Sequence, residues 1–158
     1  PDHHLVLVGE GEYRNTLLSE IRKEGLEGRV HLAGFHEERW SWLRAFDCKV
    51  TASRENDGIP QAVLEAMFAR CPVIGTAVGG IPDIIRHGET GLLVPPKDPS
   101  RLGAAILETL RDPDAAERRA LAAEEAAYAS HTIERMGESL LALYREVISE
   151  GRSSSKML

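Results

Sequence analysis

The sequence has little of several features that would define a function. Its 158 residues include only 2 cysteines, too few for a disulfide framework or a cysteine metal cluster, so we expect a reduced intracellular compartment. No apolar stretch approaches the roughly 20 residues that cross a bilayer, and no leader pattern opens the sequence. These absences favour a cytoplasmic protein.

Positive charge is also scarce. Lys and Arg number 19 against 25 Asp and Glu, for a net charge of −6, so no electrostatic excess attracts nucleic acid or an anionic membrane. The 6 histidines include no pair four apart on a predicted helix, and the sequence has no Gly-x-Ser-x-Gly or Cys/His arrangement. We therefore expect no metal, no other cofactor and no nucleophilic side chain.

What the sequence does contain is an alternation of strands and helices. Hydrophobic residues make up 42%, and short apolar runs alternate with segments of helical periodicity. Because the runs are apolar on both faces, they indicate an α/β fold with a Rossmann-like, doubly wound parallel sheet and helices on both faces. The predicted strands lie at 5–9, 30–33, 48–51, 72–75 and 91–94.

The same pattern predicts one domain over residues 1–150. Helices are expected at 37–46 and 60–69, and the Ala, Glu and Leu rich stretches at 115–128 and 132–149 read as packing helices. Residues 151–158 have three serines and no periodicity, so we expect a disordered tail there.

The segment from Asp57 to Glu65 is a candidate anion site. Pro60 suits the first helical position, and Ile59 before it has no side-chain acceptor. The N–H groups of residues 61–63 would then be open, and a helix start with open donors attracts an anion. The alternative is that Asp57 or water simply caps this end.

Glu65 is the only polar side chain from Ala62 to Ala69, so we expect a carboxylate close to the core. A buried carboxylate needs a partner, since leaving it unpaired costs several kcal/mol. A pair of sugar or ribose hydroxyls is one such partner, and an internal arginine or a backbone amide is the alternative.

Two glycine clusters follow other predicted strands. Gly79 and Gly80 precede Pro82 at a second helix start, and two open starts at one sheet edge form a crevice suited to a diphosphate. The alternative is a flexible loop without a ligand. Gly9 and Gly11 lack the third glycine of a dinucleotide fingerprint, so they mark a phosphate-binding turn or a plain glycine turn.

Four blocks stand in a fixed order in the sequence, at residues 53–67, 72–76, 78–83 and 87–95, with shorter ones at 8–11, 31–35 and 140–147. Together they resemble the carboxyl-terminal domain of group 1 (family 4) retaining glycosyltransferases. This resemblance implies the carboxyl-terminal half of a GT-B fold, in which two Rossmann-like domains face a cleft and the second binds a nucleotide-sugar donor.

The resemblance also implies roles for the candidate residues. Asp57 takes the place of the acid that contacts donor sugar hydroxyls, and Glu65 that of the acid that holds the ribose; these two are the predicted catalytic pair. The backbone of Gly58, Ile59 and Pro60 would meet the sugar and diphosphate. The same cleft would be lined by Gly9, Gly11, Gly79 and Gly80.

The sequence departs from the family pattern in several places. Asp57 is one methylene shorter than the usual Glu, and Arg70 replaces a helix-ending glycine, which forces a left-handed residue or a changed cap. Lys49 and Cys71 are unusual at buried positions beside strands.

The family's first strand and helix of this domain have no counterpart here, nor has its amino-terminal acceptor domain. We therefore expect an exposed sheet edge, marginal stability and no turnover by these residues alone. Any membrane association would come through the missing part.

The resulting hypothesis is a retaining glycosyltransferase that moves a hexose-type sugar from a nucleotide diphosphate to a glycan or lipid-linked acceptor. In this hypothesis the chain supplies the donor-binding half. Two alternatives stay open: a non-catalytic module that binds a nucleotide or a protein, and a sugar-nucleotide epimerase-like domain.

Overall fold

The computed structural model of the chain describes residues 3–55 and 58–154, with side chains through residue 148. The strands are β1 Leu5–Val8, β2 Val30–Gly34, β3 Lys49–Thr51, β4 Val73–Thr76 and β5 Leu92–Val94. The helices are α1 Arg14–Lys23, α2 Trp40–Ala45, α3 Gln61–Phe68, α4 Ile81–Ile84, α5 Pro99–Arg111, α6 Pro113–Ser130 and α7 Ile133–Ser154.

The chain divides after Arg39 into two compact units. In the first unit β1 pairs in parallel with β2, from Leu5 opposite Val30 onwards, with a register shift between Leu7 and Val8. Leu5 is 50% exposed. Among the strands that the structure describes, β1 pairs with β2 alone.

The second unit contains a parallel sheet in the order β3-β4-β5. Every residue of the central strand β4 is buried, as expected for a strand covered on both faces. The predicted alternation of parallel strands and helices is confirmed. Within the described residues the hydrogen bonds form two separate sheets, because no strand pairs with both β1 and β3.

Adjacent residues of β4 enter two different core clusters. Val73 packs with residues of α3, α4 and α6, whereas Ile74 packs with β5 and α5. Because neighbouring side chains on a strand point to opposite faces, the second unit has helices on both faces of its sheet. Gly75 lets α4 lie close to β4, since a Cβ there would sit 2.7 Å from Cγ2 of Ile81.

Aspartates cap the amino-terminal ends of α5 and α6. Asp98 caps α5 by accepting from the Arg101 N–H, and Asp112 ends α5 and caps α6. The last helix, α7, runs to Ser154, four residues into the predicted tail, because helix propagation adds a hydrogen bond per residue and no proline interrupts it.

One face of α7 is apolar and exposed. We call its apolar residues the α7 seam. They recur every three or four residues and are between 46% and 74% exposed: Ile133, Met136, Leu140, Leu143 and Val147. No helix in the described part of the chain is long and apolar enough to span a membrane.

Candidate functional site

Two loops meet at the carboxyl edge of the β3-β4-β5 sheet. One leads from β3 to α3, and the other leads from β4 to α4. Because the strands are parallel and adjacent, their carboxyl ends place both loops at the same edge, which is where doubly wound folds bind ligands. The predicted residues Gly58, Ile59, Pro60, Gly79 and Gly80 all belong to these loops.

The start of α3 differs in detail from the prediction. Pro60 has an extended backbone, with φ −69 and ψ 117, and precedes the helix rather than opening it. Its carbonyl accepts a hydrogen bond from the Val63 N–H at 2.9 Å, so Val63 is not an open donor. No side chain caps this helix within the described residues. Among the residues that the structure describes here, the amides without a hydrogen-bond partner are those of Gln61 and Ala62.

The start of α4 is also less open than expected. The Ile81 N–H donates to the Val78 carbonyl and the Asp83 N–H to the Gly80 carbonyl, each at 3.2 Å, and proline at position 82 has no N–H. In the part of the chain that the structure describes, the unpartnered amides here are those of Gly79 and Gly80. Gly79 has a φ of +53, which favours glycine. Below, the amides of Gln61, Ala62, Gly79 and Gly80 are called the edge amides.

The two loops are in direct contact. A Cβ on Gly80 would lie 2.8 Å from Cγ1 of Ile59 and 3.1 Å from the Gly58 carbonyl oxygen. Only a residue without a side chain permits this approach. The two segments expected at one sheet edge are thus in contact, and this contact supplies a packing reason for the glycine at position 80.

Thr76 is a site-forming residue that the sequence reasoning did not single out. It ends β4 and is only 4% exposed, and its hydroxyl donates to the Ser53 carbonyl at 2.7 Å. This bond ties the segment after β3 to the end of β4. A threonine at the end of an otherwise apolar strand is the sequence signal that could have indicated it.

Glu65 lies on α3 and is half-buried, beside the buried Ala66. It has an interaction partner in the chain, so it is not an isolated carboxylate. Its predicted contact with a ribose stays a prediction. Asp57, its predicted companion, falls outside the described residues, so its role also stays a prediction.

The two glycines at the end of β1 belong to the first unit. The Gly9 N–H donates to the Gly34 carbonyl at 2.7 Å, so that amide is already used inside the unit, contrary to the idea of an open donor. Its φ of +136 requires glycine. Gly11 is exposed. Whether they line a donor cleft is a prediction that the first unit by itself does not test.

The departure at Arg70 has the predicted consequence. Its φ is +56, and the Arg70 and Cys71 N–H groups donate to the Met67 and Ala66 carbonyls. This is the two-bond helix ending in which glycine usually holds the left-handed position. The Arg70 side chain pairs with Glu124 of α6, which partly explains an arginine there.

Lys49 and Cys71 lie at the amino ends of β3 and β4, away from the edge amides. The Lys49 ammonium donates to the Val50 carbonyl at 2.8 Å, and burial lowers the pKa of this side chain. Burial raises the pKa of the Cys71 thiol to about 12, so the thiol stays neutral. We assign both residues to the sheet rather than to the site.

A surface depression of about 410 Å³ lies between α4 and α6. Its lining includes Asp83, Arg86 and His131, and it contains none of the predicted site residues. Among residues 3–55 and 58–154, no group of three or more His, Cys, Asp or Glu side chains could hold a metal ion.

The fold and the carboxyl edge together define a doubly wound α/β domain with paired loop amides at the ends of its strands. Residues 1–112 match the family Glycosyl transferases group 1. The chain belongs to this family.

Curated relatives carry transferase and synthase names. Alpha-D-kanosaminyltransferase of Streptomyces kanamyceticus is 34% identical over 149 residues, covering 92% of this chain and 38% of that protein. N-acetyl-alpha-D-glucosaminyl L-malate synthase of Bacillus anthracis is 29% identical, covering 96% of this chain and 40% of that protein. The chain therefore spans well under half the length of these relatives.

Solved structures give the same answer for the fold. The structure of Anabaena HepE in complex with UDP has a TM-score of 0.87 at 24% identity, covering 92% of this chain and 42% of that chain. Sucrose-phosphate synthase of Thermosynechococcus elongatus has a TM-score of 0.83 at 29% identity, covering 93% and 39%. The carboxyl-terminal domain of a Francisella tularensis group 1 glycosyl transferase, LpcC, has a TM-score of 0.67 at 27% identity, covering 77% and 64%. The predicted resemblance to the carboxyl-terminal half of GT-B proteins is confirmed.

Proposed function

We propose that this chain binds the diphosphate of a nucleotide-sugar donor at the carboxyl edge of β3-β4-β5. The observation that carries the proposal is the contact between Gly80 and the segment Gly58–Ile59, which joins the two loops that hold the edge amides. Backbone N–H groups at helix starts and glycine loops bind phosphate oxygens by hydrogen bonding and by the helix dipole. A diphosphate has enough oxygens to engage both pairs.

The comparisons support a nucleotide-sugar as the ligand. The HepE structures hold UDP in one case and UDP-glucose in another, and the curated relatives include a kanosaminyltransferase and a glycogen synthase. UDP is therefore the first nucleotide to test, followed by GDP and ADP.

We further propose that the full protein is a retaining hexosyltransferase whose acceptor is a glycan or a lipid-linked sugar. In this proposal Asp57 contacts sugar hydroxyls and Glu65 holds the ribose. The edge amides stabilise the negative charge that develops on the diphosphate as the glycosidic bond breaks, because they are already oriented before the reaction begins. The acceptor would be held by a part of the protein other than this chain.

The variant Glu65→Gln tests the donor site. It keeps the size of the side chain but removes its charge, and a hydrogen bond to a charged group contributes about 1.5–3 kcal/mol. We expect isothermal titration to show UDP binding weakened roughly 10- to 100-fold. The matched control is Glu117→Gln on the exposed face of α6, which should bind as the wild type does.

Two results would count against the proposal. Equal affinity for the Glu65→Gln and Glu117→Gln variants would remove the role of Glu65. Wild-type chain that releases no heat with UDP, GDP or ADP would contradict the donor site as a whole. A non-catalytic module would bind nucleotide without sugar transfer by the full-length protein, and that assay separates the two functions.

A further inference from the structure

The segment that leads from β3 to α3 is held by a buried hydroxyl of the neighbouring strand. The Thr76 Oγ1 donates to the Ser53 carbonyl at 2.7 Å and lies 3.5 Å from the Thr51 carbonyl. Thr76 is 4% exposed, so its hydroxyl is shielded from water, and a buried hydroxyl that loses its partner is costly. The bond to Ser53 therefore favours one position for the start of this segment.

The other end of the segment lies against the backbone of Gly80. The Gly58 carbonyl oxygen would lie 3.1 Å from a Cβ at position 80, closer than side chains normally tolerate. A further link, the ion pair between Lys97 and Glu55 at 3.2 Å, is highly exposed on both sides and contributes little. Among the described contacts of this segment, those with Thr76 and Gly80 both come from the β4 side.

We propose that Thr76 is a positioning residue for the donor site. Its hydroxyl fixes the start of the β3–α3 segment, as Gly80 fixes the end, so that the two pairs of edge amides keep one relative placement. The part of this inference that concerns ligand affinity rests on the proposed function. The part that concerns the placement of the segment does not.

Thr76→Val is the informative variant, because valine keeps the branched shape that suits β4 and removes only the hydroxyl. Thr76→Ser restores the hydroxyl and should rescue the wild-type behaviour. The matched control is Thr109→Val: Thr109 is 3% exposed and donates to the Ala105 carbonyl at 2.9 Å within α5. It removes a similar buried bond without touching the segment.

The first readout is amide hydrogen exchange of the chain at Ser53–Glu55 and Gly58–Ile59. Thr76→Val should accelerate exchange there about tenfold, since a buried hydrogen bond is lost, whereas Thr76→Ser and Thr109→Val should leave it within about twofold. Equal exchange in the two valine variants would overturn the proposal.

The second readout is UDP affinity by titration. Thr76→Val should weaken binding about five- to tenfold while Thr109→Val does not. Unchanged affinity in Thr76→Val alongside normal wild-type binding would refute the positioning role for the ligand. If the wild type binds no nucleotide, the proposed function fails, and the exchange comparison still decides whether Thr76 places the segment.

Discussion

The left-handed arginine at the end of α3 yields a stability prediction that the structure makes quantitative. Arg70 has a φ of +56, a conformation that costs a residue with a side chain about 1–2 kcal/mol. Glycine adopts it without strain but loses more entropy on folding, by roughly 0.5–1 kcal/mol. The net backbone gain from glycine at this position is therefore about 1 kcal/mol.

The variant Arg70→Gly also loses the ion pair with Glu124, and this loss offsets part of the backbone gain. Arg70 is 61% exposed and Glu124 17%, so the pair contributes about 0–1 kcal/mol. Arg70→Gly alone should thus change the free energy of unfolding little, or raise it slightly. Arg70→Ala loses the same ion pair and keeps the strained backbone, so it should be less stable than Arg70→Gly by about 1 kcal/mol.

Urea unfolding of the two variants under identical conditions measures this difference directly. Because both variants lack the ion pair, the comparison isolates the backbone. In a Glu124→Gln background, Arg70→Gly should be stabilising by about 1 kcal/mol relative to its own parent. An Arg70→Ala variant as stable as Arg70→Gly would refute the assignment of strain to this helix ending.

Three further predictions concern the thiol, the glycines and the last helix. Burial raises the pKa of the Cys71 thiol from 9.0 to about 12, so the contribution of this thiol to stability is complete below pH 9 and is lost as the pH rises towards 12. Between pH 9 and 12, the free energy of unfolding measured in urea should therefore fall less steeply for Cys71→Ala than for the wild type. A Cβ on Gly91 would lie 2.7 Å from the Val73 carbonyl oxygen, whereas a Cβ on Gly103 of α5 would meet open space. In urea unfolding, Gly91→Ala should therefore lower the free energy of unfolding by about 1–3 kcal/mol, and Gly103→Ala should raise it by up to about 1 kcal/mol. Replacing the exposed Leu140 and Leu143 of α7 by Glu should reduce binding of an apolar dye and change stability by less than about 0.5 kcal/mol; a large loss of stability would mean that the α7 seam is packed.

The alternation of strands and helices was predictable because its signals are local. Apolar runs mark the strands, and Asp98 and Asp112 stand where helices begin. The left-handed conformation of Arg70 was one of two predicted outcomes, because arginine there replaces the glycine with which many helices end.

The contacts that build the candidate site were not predictable in the same way. The bond from Thr76 to Ser53 joins residues 23 positions apart, and the approach of Gly80 to Gly58 depends on how two loops pack. The Val63 N–H bonds to Pro60 because proline stands before the helix rather than in it. Sequence periodicity indicates which segments face the sheet edge, but not which of their amides are already paired.

The central claim is that the edge amides bind a diphosphate, and nuclear magnetic resonance of the amides measures it directly. Titration of the isotopically labelled chain with UDP should shift the resonances of Gln61, Ala62, Gly79 and Gly80, whereas uridine, which has no phosphates, should leave these four nearly unchanged. Shifts confined to other parts of the chain, such as the depression at Asp83, or no shifts at all, would contradict the account.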